Sequence, residues 1–430
     1  MKSRILMCIT AMTLFAALAV PARLAAQEQK QDLPRYTVTD LGTLGGTFSL
    51  AGGINNNGLV EGYSTLSDGY THPFLWHNGV MTDLGTLGGP NAWAGWRPSE
   101  GGEAGGASET TTPDPNGEDY CGYGTYLECR PFLWRDGVMI PLPTLGGNNG
   151  EVDGVTNFAQ GGGVENTTVD TTCVGHEGYY QMKAVLWENG EIHELPLPPF
   201  DSDPRSYANM MNDSGQVAGL SGNCTTYDNH ALLWQDGTVT DLGSLGGKLH
   251  NGAYDINNQG QVAGFSDLRG DKTYQCCCVG TVCETVYTFH AFLWEKGVMH
   301  DLGTLPGDVG SSGTGINNKG QVVGASWDKE NNDTAFLWQN GVMTDLNTLI
   351  PADSPLYLIA ATGTINDEGQ IAGIALVKST GEVHAFLATP TTELWPISES
   401  TKVVLPDDVR NLLQQHRRFG RRGGGFMRPQ

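Results

Sequence analysis

The sequence predicts an all-β fold built from one unit of strands that recurs seven times. Residues 290–307, HAFLWEKGVMHDLGTLPG, show the period-two alternation of a strand, then a tight turn ending in Gly, then a second strand. Related segments recur along the chain, mostly with Asn-Gly or Asp-Gly at the turn, residues that tolerate a positive φ. The 60 Gly residues and a charged fraction of only 17% also suit short strands joined by tight turns. A fixed-period repeat of this kind decides the architecture before any site is considered.

Three sequence landmarks can be followed through the repeats. The first, I-N-x-x-G-x-V-x-G, occurs at 54–62, 211–219, 256–264, 316–324 and 365–373, with degenerate copies at 98–106 and 155–163. The second, the FLW strand, ends at Trp76, Trp134, Trp187, Trp234, Trp294, Trp338 and, without the Trp, Ala388. The third, V-M-x-D-L-x-T-L, occurs at 80–87, 138–145, 191–197, 239–245, 298–305 and 342–349, and also at 37–44.

The copy at 37–44 precedes every other landmark, although it is the last strand within each later repeat. The chain therefore starts with the final strand of a repeat whose other three strands lie at its far end. A closed ring needs this arrangement, because it leaves no exposed sheet edge between the first and last repeats. We expect a seven-bladed β-propeller of four-stranded blades, with residues 36–43 completing the last blade. An open solenoid with capping repeats is the alternative, and the equal counts of the landmarks argue against it.

The regions flanking the repeats differ from them in composition. Residues 1–26 are predicted to be a secretory signal, with Lys2 and Arg4 before a short apolar run; 27–35 is a linker and 36–397 the propeller. In 398–430, we expect a short helix over 406–418, followed by a flexible Gly- and Arg-rich tail that either contacts an anionic surface or folds back on the acidic body. The protein is thus expected to be secreted or periplasmic, without a transmembrane segment.

The charge of the chain limits its partners. Residues 27–409 contain 15 Lys and Arg against 47 Asp and Glu, a net charge of −32. Such an acidic body repels phosphate backbones, so we expect no nucleic-acid partner.

The repeat pattern also predicts where a site would lie. If the I-N-x-x-G segment is the innermost strand, small residues such as Gly52, Gly53 and Ala253 allow close approach near the axis. Both tight turns of a blade then lie at one end of the strands. All large insertions, in blades two to five, lie at the other end: residues 107–130, 164–183, 220–229 and 265–288. Long loops carry function more often than short ones, so a site is expected on the face with the insertions.

The repeats resemble the HAF-repeat family of bacterial extracellular proteins. The resemblance is carried by DLGTLGG at 40–46 and 83–89, DLGSLGG at 241–247, GINNKGQVVGAS at 315–326 and HAFLW at 290–294. It covers residues 36 to about 388, with blades two and three departing most from the pattern. The resemblance implies a secreted, propeller-like repeat protein, and it brings no catalytic residues with it.

Eight cysteines follow the signal segment, all within the insertions. An even number in an exported chain predicts disulfides that staple long loops, with Cys121 and Cys129 as the clearest pair. The pairing of the others is left open, and so is a metal site, which the missing C-x-x-C spacing disfavours. The remaining six are Cys173, Cys224, Cys276, Cys277, Cys278 and Cys283.

Residues that recur in every blade are interpreted as structural. The repeated His are expected to bond neighbouring backbone, the Asp of the third landmark to make a repeated hydrogen bond, and the Asn to form Asx turns. The repeated Trp residues are expected to pack between blades. We identify no catalytic residue, cofactor or metal ligand.

Unrepeated aromatic residues near the insertions are the candidate ligand-binding residues, since Tyr and Trp on loops form glycan- and protein-binding surfaces. We expect a non-catalytic binding module for an extracellular glycan or protein. The alternatives are a polysaccharide hydrolase or lyase on the same face, and a purely structural surface protein; the ligand and the oligomeric state are left open. The candidates are Trp93, Trp96, Arg97, Tyr120, Tyr123, Tyr126, Tyr179, Tyr180, Tyr227 and Tyr274.

Overall fold

The structure is a computed structural model that describes most of the chain between residues 33 and 413. The described residues are 33–172, 179–199, 204–223, 229–270, 273–279, 282–396, 399, 402–411 and 413, without the side chains of 249, 274–279 and 282–287. The predicted signal segment, most of the linker and the Gly/Arg tail lie outside them.

The described chain is nearly all β, as the sequence predicts. Its one short 3₁₀ helix is Leu346–Thr348. The strands are β1 Arg35–Gly42, β2 Gly45–Ile54, β3 Val60–Leu66, β4 Thr71–His77, β5 Val80–Asp83, β6 Ala92–Ala94, β7 Ala104–Pro113, β8 Leu127–Arg135, β9 Val138–Pro141, β10 Gly150–Val155, β11 Ala159–Val169, β12 Tyr180–Glu188, β13 Glu191–Glu194, β14 Arg205–Met211, β15 Val217–Gly222, β16 His230–Gln235, β17 Thr238–Asp241, β18 Gly246–Ile256, β19 Val262–Leu268, β20 Thr273–Val279, β21 Val282–Tyr287, β22 Phe289–Glu295, β23 Val298–Asp301, β24 Gly310–Ile316, β25 Val322–Trp327, β26 Asp333–Gln339, β27 Val342–Asp345, β28 Leu356–Ala360, β29 Ile371–Val377 and β30 Val383–Thr391.

The strands form propeller-like antiparallel sheets. Within the described residues there are five four-stranded sheets, β6–β9, β10–β13, β14–β17, β18-β19-β22-β23 and β24–β27, and a two-stranded hairpin, β20–β21. One eight-stranded sheet joins β2–β5 to β28–β30 through a parallel pair, Phe48 with Val383, and β1 pairs antiparallel with β30. We number the repeats 1 to 7 in chain order, from β2–β5 to β28–β30 with β1.

Two faces follow from this antiparallel order. The I-N-x-x-G turns and the Asn-Gly or Asp-Gly turns lie at one end of the strands, here called the turn face. The connections between the second and third strands of each repeat, which hold the insertions, lie at the other end, here called the insertion face.

The tight turns between the last two strands of repeats 1 to 6 have the predicted geometry. Asn78, Asp136 and Asn340 have φ values of 49°, 52° and 53°, and each precedes a Gly of positive φ. Successive positive φ values match the twist of a hairpin, which explains the recurring Asn-Gly and Asp-Gly pairs.

The Asn residues of the I-N-x-x-G turns form the predicted Asx turns and an additional contact between repeats. Oδ1 of Asn257 accepts the backbone N–H groups of Gln259 and Gln261, both at 3.0 Å. Its Nδ2 donates to the carbonyl of Asn317 in the next repeat, at 2.9 Å. The same bond runs from Asn212 to Asn257, from Asn317 to Asn366, and from Asn366 to Asn55.

The repeated His residues pair with the repeated Asp residues, so the expectation of a backbone partner for His was wrong. Nδ1 of His384 lies 2.9 Å from Oδ1 of Asp40, which also accepts the backbone N–H of Gly42 at 2.8 Å. Asp40 is opposite Phe386, two residues from His384, so the two side chains are diagonal neighbours on one face. Equivalent pairs are His72–Asp83, His230–Asp241 and His290–Asp301.

The core is made by the small and aromatic residues that the repeat pattern predicts. Trp187 and Trp234 are buried between sheets, and their Nε1 atoms donate to the carbonyls of Pro143 and Pro196. A Cβ on Gly52 would lie 2.3 Å from the backbone of Gly95, which confirms the close approach expected at the first strands.

The segment after the repeats packs against the insertion face. Residues 407–411 and 413 are helical, and they lie within the range 406–418 where the sequence predicts a helix. Leu405, Val409 and Leu413 are buried in the largest hydrophobic cluster. Lys402 pairs with Asp308, so the segment is tied to repeat 6 by charge as well as by apolar contact.

Candidate functional site

Two of the predicted ligand-binding residues, Trp96 and Arg97, reach from repeat 2 to other repeats. The Trp96 ring lies 5.7 Å from that of Tyr254, and its Nε1 donates to Oδ1 of Asp153 at 3.1 Å. Nη2 of Arg97 lies 3.2 Å from Oδ1 of Asp255, whose side chain is fully buried. Burial raises the pKa of Asp255, although Arg97 and the N–H groups of Ile316 and Ile256 oppose this shift. Trp96 and Arg97 therefore connect distant repeats.

Arg97 also borders a small pocket on the turn face. This pocket holds about 90 Å³ and is ringed by Asn212, Asn257, Asn317 and Asn366. It is far smaller than the 300 Å³ or more of typical small-molecule sites.

Trp93 and Tyr120 are buried in the core. They are 1% and 7% exposed and belong to the same hydrophobic cluster as Cys121 and Cys129. Side chains this buried present no face to a ligand, and they instead pack the insertion of repeat 2 onto the sheets. Tyr123 is half-buried and packs against the same cluster.

The exposed candidates are Tyr126 and Tyr179, at 55% and 41%. Tyr126 has a φ of 56°, a left-handed conformation that is uncommon for a bulky residue. Tyr179 and Tyr180 make an edge-to-face contact with their ring centroids 5.1 Å apart. Tyr227 lies outside the described residues, and Tyr274 lies on β20, where only the backbone is described.

A cleft of about 1450 Å³ opens on the insertion face, and it includes Tyr123. Its walls come from repeat 1, the disulfide-linked insertion of repeat 2, repeat 7 and the C-terminal helical segment. The lining residues are Gly45, Gly46, Thr47, Phe48, Thr65, Leu66, Ser67, Gly69, Tyr70, Thr71, Asn91, Asp119, Gly122, Tyr123, Gly124, Thr125, Thr380, Gly381, Glu382, Val383, Asp408, Val409 and Asn411.

The wall from repeat 2 is held by covalent and hydrogen bonds. Cys121 and Cys129 form the predicted disulfide. Both carboxylate oxygens of Asp119 lie 3.0 Å from the backbone N of Gly124. Below the wall, Glu109 accepts hydrogen bonds from Thr125 and from the side chain and backbone of Asn91. These bonds fix the loop that carries Tyr123.

Glu118 and Glu165 form a second group of buried carboxyls between the insertions of repeats 2 and 3. The Nδ2 of Asn149 lies 3.4 Å from Oε2 of Glu118 and 3.2 Å from Oε2 of Glu165. The backbone N–H of Tyr179 donates to Glu118. Burial, and secondarily the neighbouring Glu118, raises the pKa of Glu165 to about 8.

The hydrolase or lyase hypothesis requires convergent acids in a pocket. Burial also raises the pKa of Glu109, although hydrogen bonds from Thr125 and Asn91 oppose the shift. Both Glu109 and Glu165 are 0% exposed and neither lines the cleft. These carboxyls therefore hold loops together below the surface.

Sequence reasoning missed Tyr70, Glu382 and Asp408, which also line the cleft. Tyr70 is 48% exposed and lies in the short loop between β3 and β4 of repeat 1. It is an unrepeated aromatic in a loop, and the criterion used for the other candidates would have found it if short connections had been included. Asp408 could not have been found, because only the fold brings the C-terminal segment beside repeat 1.

The other predicted disulfide cysteines are not described at the level of side chains. Cys173 and Cys224 lie outside the described residues, and Cys276, Cys277, Cys278 and Cys283 lie on β20 and β21. Across the described part of the chain, no group of three or more His, Cys, Asp or Glu could hold a metal ion. No helix in that part is long and apolar enough to cross a membrane.

Comparison with known proteins finds no matching family model and no matching curated protein. Among solved structures, the β-propeller domain of the Trilobed protease from Pyrococcus furiosus is similar, with 10% identity, a TM-score of 0.46, and coverage of 85% of this chain and 96% of that chain. An acylaminoacyl peptidase of Pyrococcus horikoshii has 11% identity and a TM-score of 0.41, with 76% of this chain covered; the match spans about half, 49%, of the peptidase. AofleA from Arthrobotrys oligospora has 10% identity and a TM-score of 0.37, and the match covers 72% of this chain and 87% of AofleA. Likenesses this distant carry no inference about activity.

Proposed function

We propose that the seven repeats form one closed, seven-bladed β-propeller, in which the eight-stranded sheet is the last and first blades joined at Phe48 and Val383. Three observations support this proposal. β1 pairs with β30, as closure by the N-terminal strand requires. Asn366 of repeat 7 bonds to Asn55 of repeat 1. Arg97 of repeat 2 pairs with Asp255 of repeat 5, as residues facing each other across a shared axis can do.

We further propose that the protein is an exported binding module that holds an extracellular glycan in the insertion-face cleft. The observation that carries this proposal is the cleft itself, with two Tyr rings beside several hydroxyl and amide groups. Aromatic faces stack on the apolar faces of sugar rings, and the polar groups meet the sugar hydroxyls. At about 1450 Å³ the cleft exceeds the range typical of small-molecule sites, which favours an oligosaccharide.

The signal segment, the acidic body and the resemblance to the HAF-repeat family support export. The Arg-rich tail, by its charge, would hold the protein at an anionic surface; it lies outside the described residues.

A glycan-array screen of residues 27–430 tests the function. We expect saturable binding by the parent, and loss of binding in the variant Tyr70→Ala/Tyr123→Ala. Phe158→Ala is a matched control, because Phe158 is an exposed aromatic, 73% accessible, in the turn of repeat 3 on the opposite face.

Two outcomes would contradict the proposal. Binding that is unchanged in the double variant would place the glycan elsewhere. No binding to any glycan would reject the glycan function and favour a protein ligand or a structural role.

A further inference from the structure

The cleft on the insertion face has an uneven charge. Among the described residues, its lining includes three carboxylates, Asp119, Glu382 and Asp408, and no Lys, Arg or His. They lie on three different walls, which belong to repeat 2, repeat 7 and the C-terminal segment. A bound ligand would therefore meet negative charge from several sides.

Of these three carboxylates, only Glu382 has an ion-pair partner among the described residues, and that partner is a shared imidazole. Glu382 lies 3.7 Å from Nε2 of His384, and that imidazole is already paired with Asp40. Within the described residues, no Lys or Arg is within ion-pair distance of Asp119, Glu382 or Asp408. A cleft lined by one sign of charge concentrates ligands of the opposite sign.

The remaining lining restricts the ligand further. Tyr70 and Tyr123 contribute aromatic side chains to the lining, while Thr47, Thr65 and Thr125 contribute side chains that carry hydroxyl groups. A simple cation such as a polyamine would leave the rings and hydroxyls unused. An anionic polysaccharide would be repelled, and a neutral one would meet the carboxylates with hydroxyl donors but without charge pairing.

We propose that the insertion-face cleft binds a cationic amino-sugar oligosaccharide, a hexosamine oligomer whose free amines are protonated. This inference rests on the proposed glycan-binding function and specifies its ligand class. The sugar rings stack on Tyr70 and Tyr123, and the ammonium groups pair with Glu382 and Asp408 on two different walls.

The test compares two ligands with the same sugar backbone, one with free amines and one with acetylated, uncharged nitrogens. Calorimetric titrations of residues 27–430 use a β-1,4-linked glucosamine hexamer and its fully N-acetylated counterpart, at a pH that protonates the amines. We expect the glucosamine hexamer to bind about tenfold more tightly, as two or three partly exposed ion pairs would provide. The difference should shrink in high salt, where exposed charges are screened.

Variants separate the cleft from the general acidity of the protein. Glu382→Gln/Asp408→Asn should remove most of the preference and leave binding of the acetylated hexamer unchanged. The control, Asp136→Asn/Glu368→Gln, removes the same charge from the turn face and should preserve the preference.

Several results would overturn the inference. Equal binding of both hexamers would reject the charge preference while leaving the glycan function intact. If Glu382→Gln/Asp408→Asn still prefers the glucosamine hexamer, the preference comes from non-specific attraction by the acidic body and not from the cleft. Equally tight binding of hexalysine would show that the sugar rings do not matter. If neither hexamer binds and the glycan array is also negative, the proposed function itself fails.

Discussion

The side-chain amide of Asn366 donates a hydrogen bond to the backbone carbonyl of Asn55, 311 positions earlier in the chain, with 3.0 Å between the atoms. The same contact links repeats 4 to 5, 5 to 6 and 6 to 7. In each of repeats 4 to 7, one Asn thus shapes its own turn through Oδ1 and holds the following repeat through Nδ2. The recurrence of Asn at this position therefore has two structural reasons: it forms the turn of its own repeat, and it bonds to the following repeat.

Substitution of one of these Asn residues should destabilise the protein. Asn257 is buried, and Asn257→Ala removes four hydrogen bonds and leaves the carbonyl of Asn317 without this donor. We expect the free energy of unfolding to fall by about 2–4 kcal/mol in urea titrations, since each unsatisfied buried group costs about 1–3 kcal/mol. Asn257→Asp keeps the acceptor oxygen and loses only the donor, so it should cost less than the Ala variant. An Asp variant as stable as the parent would mean that the bond between repeats contributes nothing.

Removal of Arg97 should be more costly than removal of an exposed arginine. Arg97→Ala leaves the buried Asp255 without its ion-pair partner, which costs about 3–5 kcal/mol. Arg135→Ala is the control, because Arg135 is half-exposed and its pair with Glu103 should be worth at most about 1 kcal/mol. Chemical denaturation of both variants measures the difference, and similar losses would show that the contact between repeats 2 and 5 is unimportant.

The His384–Asp40 pair should stabilise the protein in a limited pH window. The hydrogen bond to Asp40 raises the pKa of His384 despite partial burial. Partial burial alone would raise the pKa of Asp40, but the bonds from His384 and Gly42 outweigh it and lower the pKa. The histidine contribution is complete below about pH 6.5 and is lost as the pH rises through its raised pKa. The aspartate contribution is complete above about pH 3.9 and is lost as the pH falls through its lowered pKa.

The pair should therefore contribute most between about pH 4 and 6.5. His384→Asn should lower stability by a few tenths of a kcal/mol to about 1 kcal/mol in this window, and by less at pH 9. Thermal unfolding at several pH values measures this, with His77→Asn, an exposed turn residue, as the control. A loss that is the same at all pH values would contradict the assignment.

Glu165 should make the protein less stable as the pH rises. Its pKa is raised to about 8 in the folded state, and the unfolded value is about 4.3. The contribution of Glu165 to the free energy of unfolding is fully present below its unfolded pKa. It is lost as the pH rises toward 8. Glu165→Gln imitates the protonated form, so we expect it to match the parent near pH 4.5 and to exceed it at pH 8. Glu191→Gln, on an exposed strand end, should show no such change; a Gln variant that is less stable at pH 8 would refute the prediction.

The outcome for the candidate residues shows what local pattern can and cannot predict. Trp93 and Tyr123 are both unrepeated aromatics near an insertion, yet Trp93 is buried in the core and Tyr123 lines the cleft. The position of a residue within the repeat predicts which face it lies near. It does not predict whether the side chain is buried or exposed. That difference depends on which loops pack above it.

The repeated His and Asp illustrate the same limit. Each was recognised as structural from its recurrence. Their pairing depends on the diagonal between two adjacent strands, which follows from register and not from spacing in the sequence.

By itself, the sequence determined the all-β class, the repeating hairpins, their turn chemistry and the Cys121–Cys129 pair. These features depend on residues close together in the chain, where period-two alternation and positive-φ residues act directly. Only the tertiary structure decided that Asn366 contacts Asn55, that Arg97 contacts Asp255, and that Tyr70 and Asp408 share a cleft. Those contacts join residues up to several hundred positions apart, and their geometry is set by the packing of whole sheets, which no local pattern records.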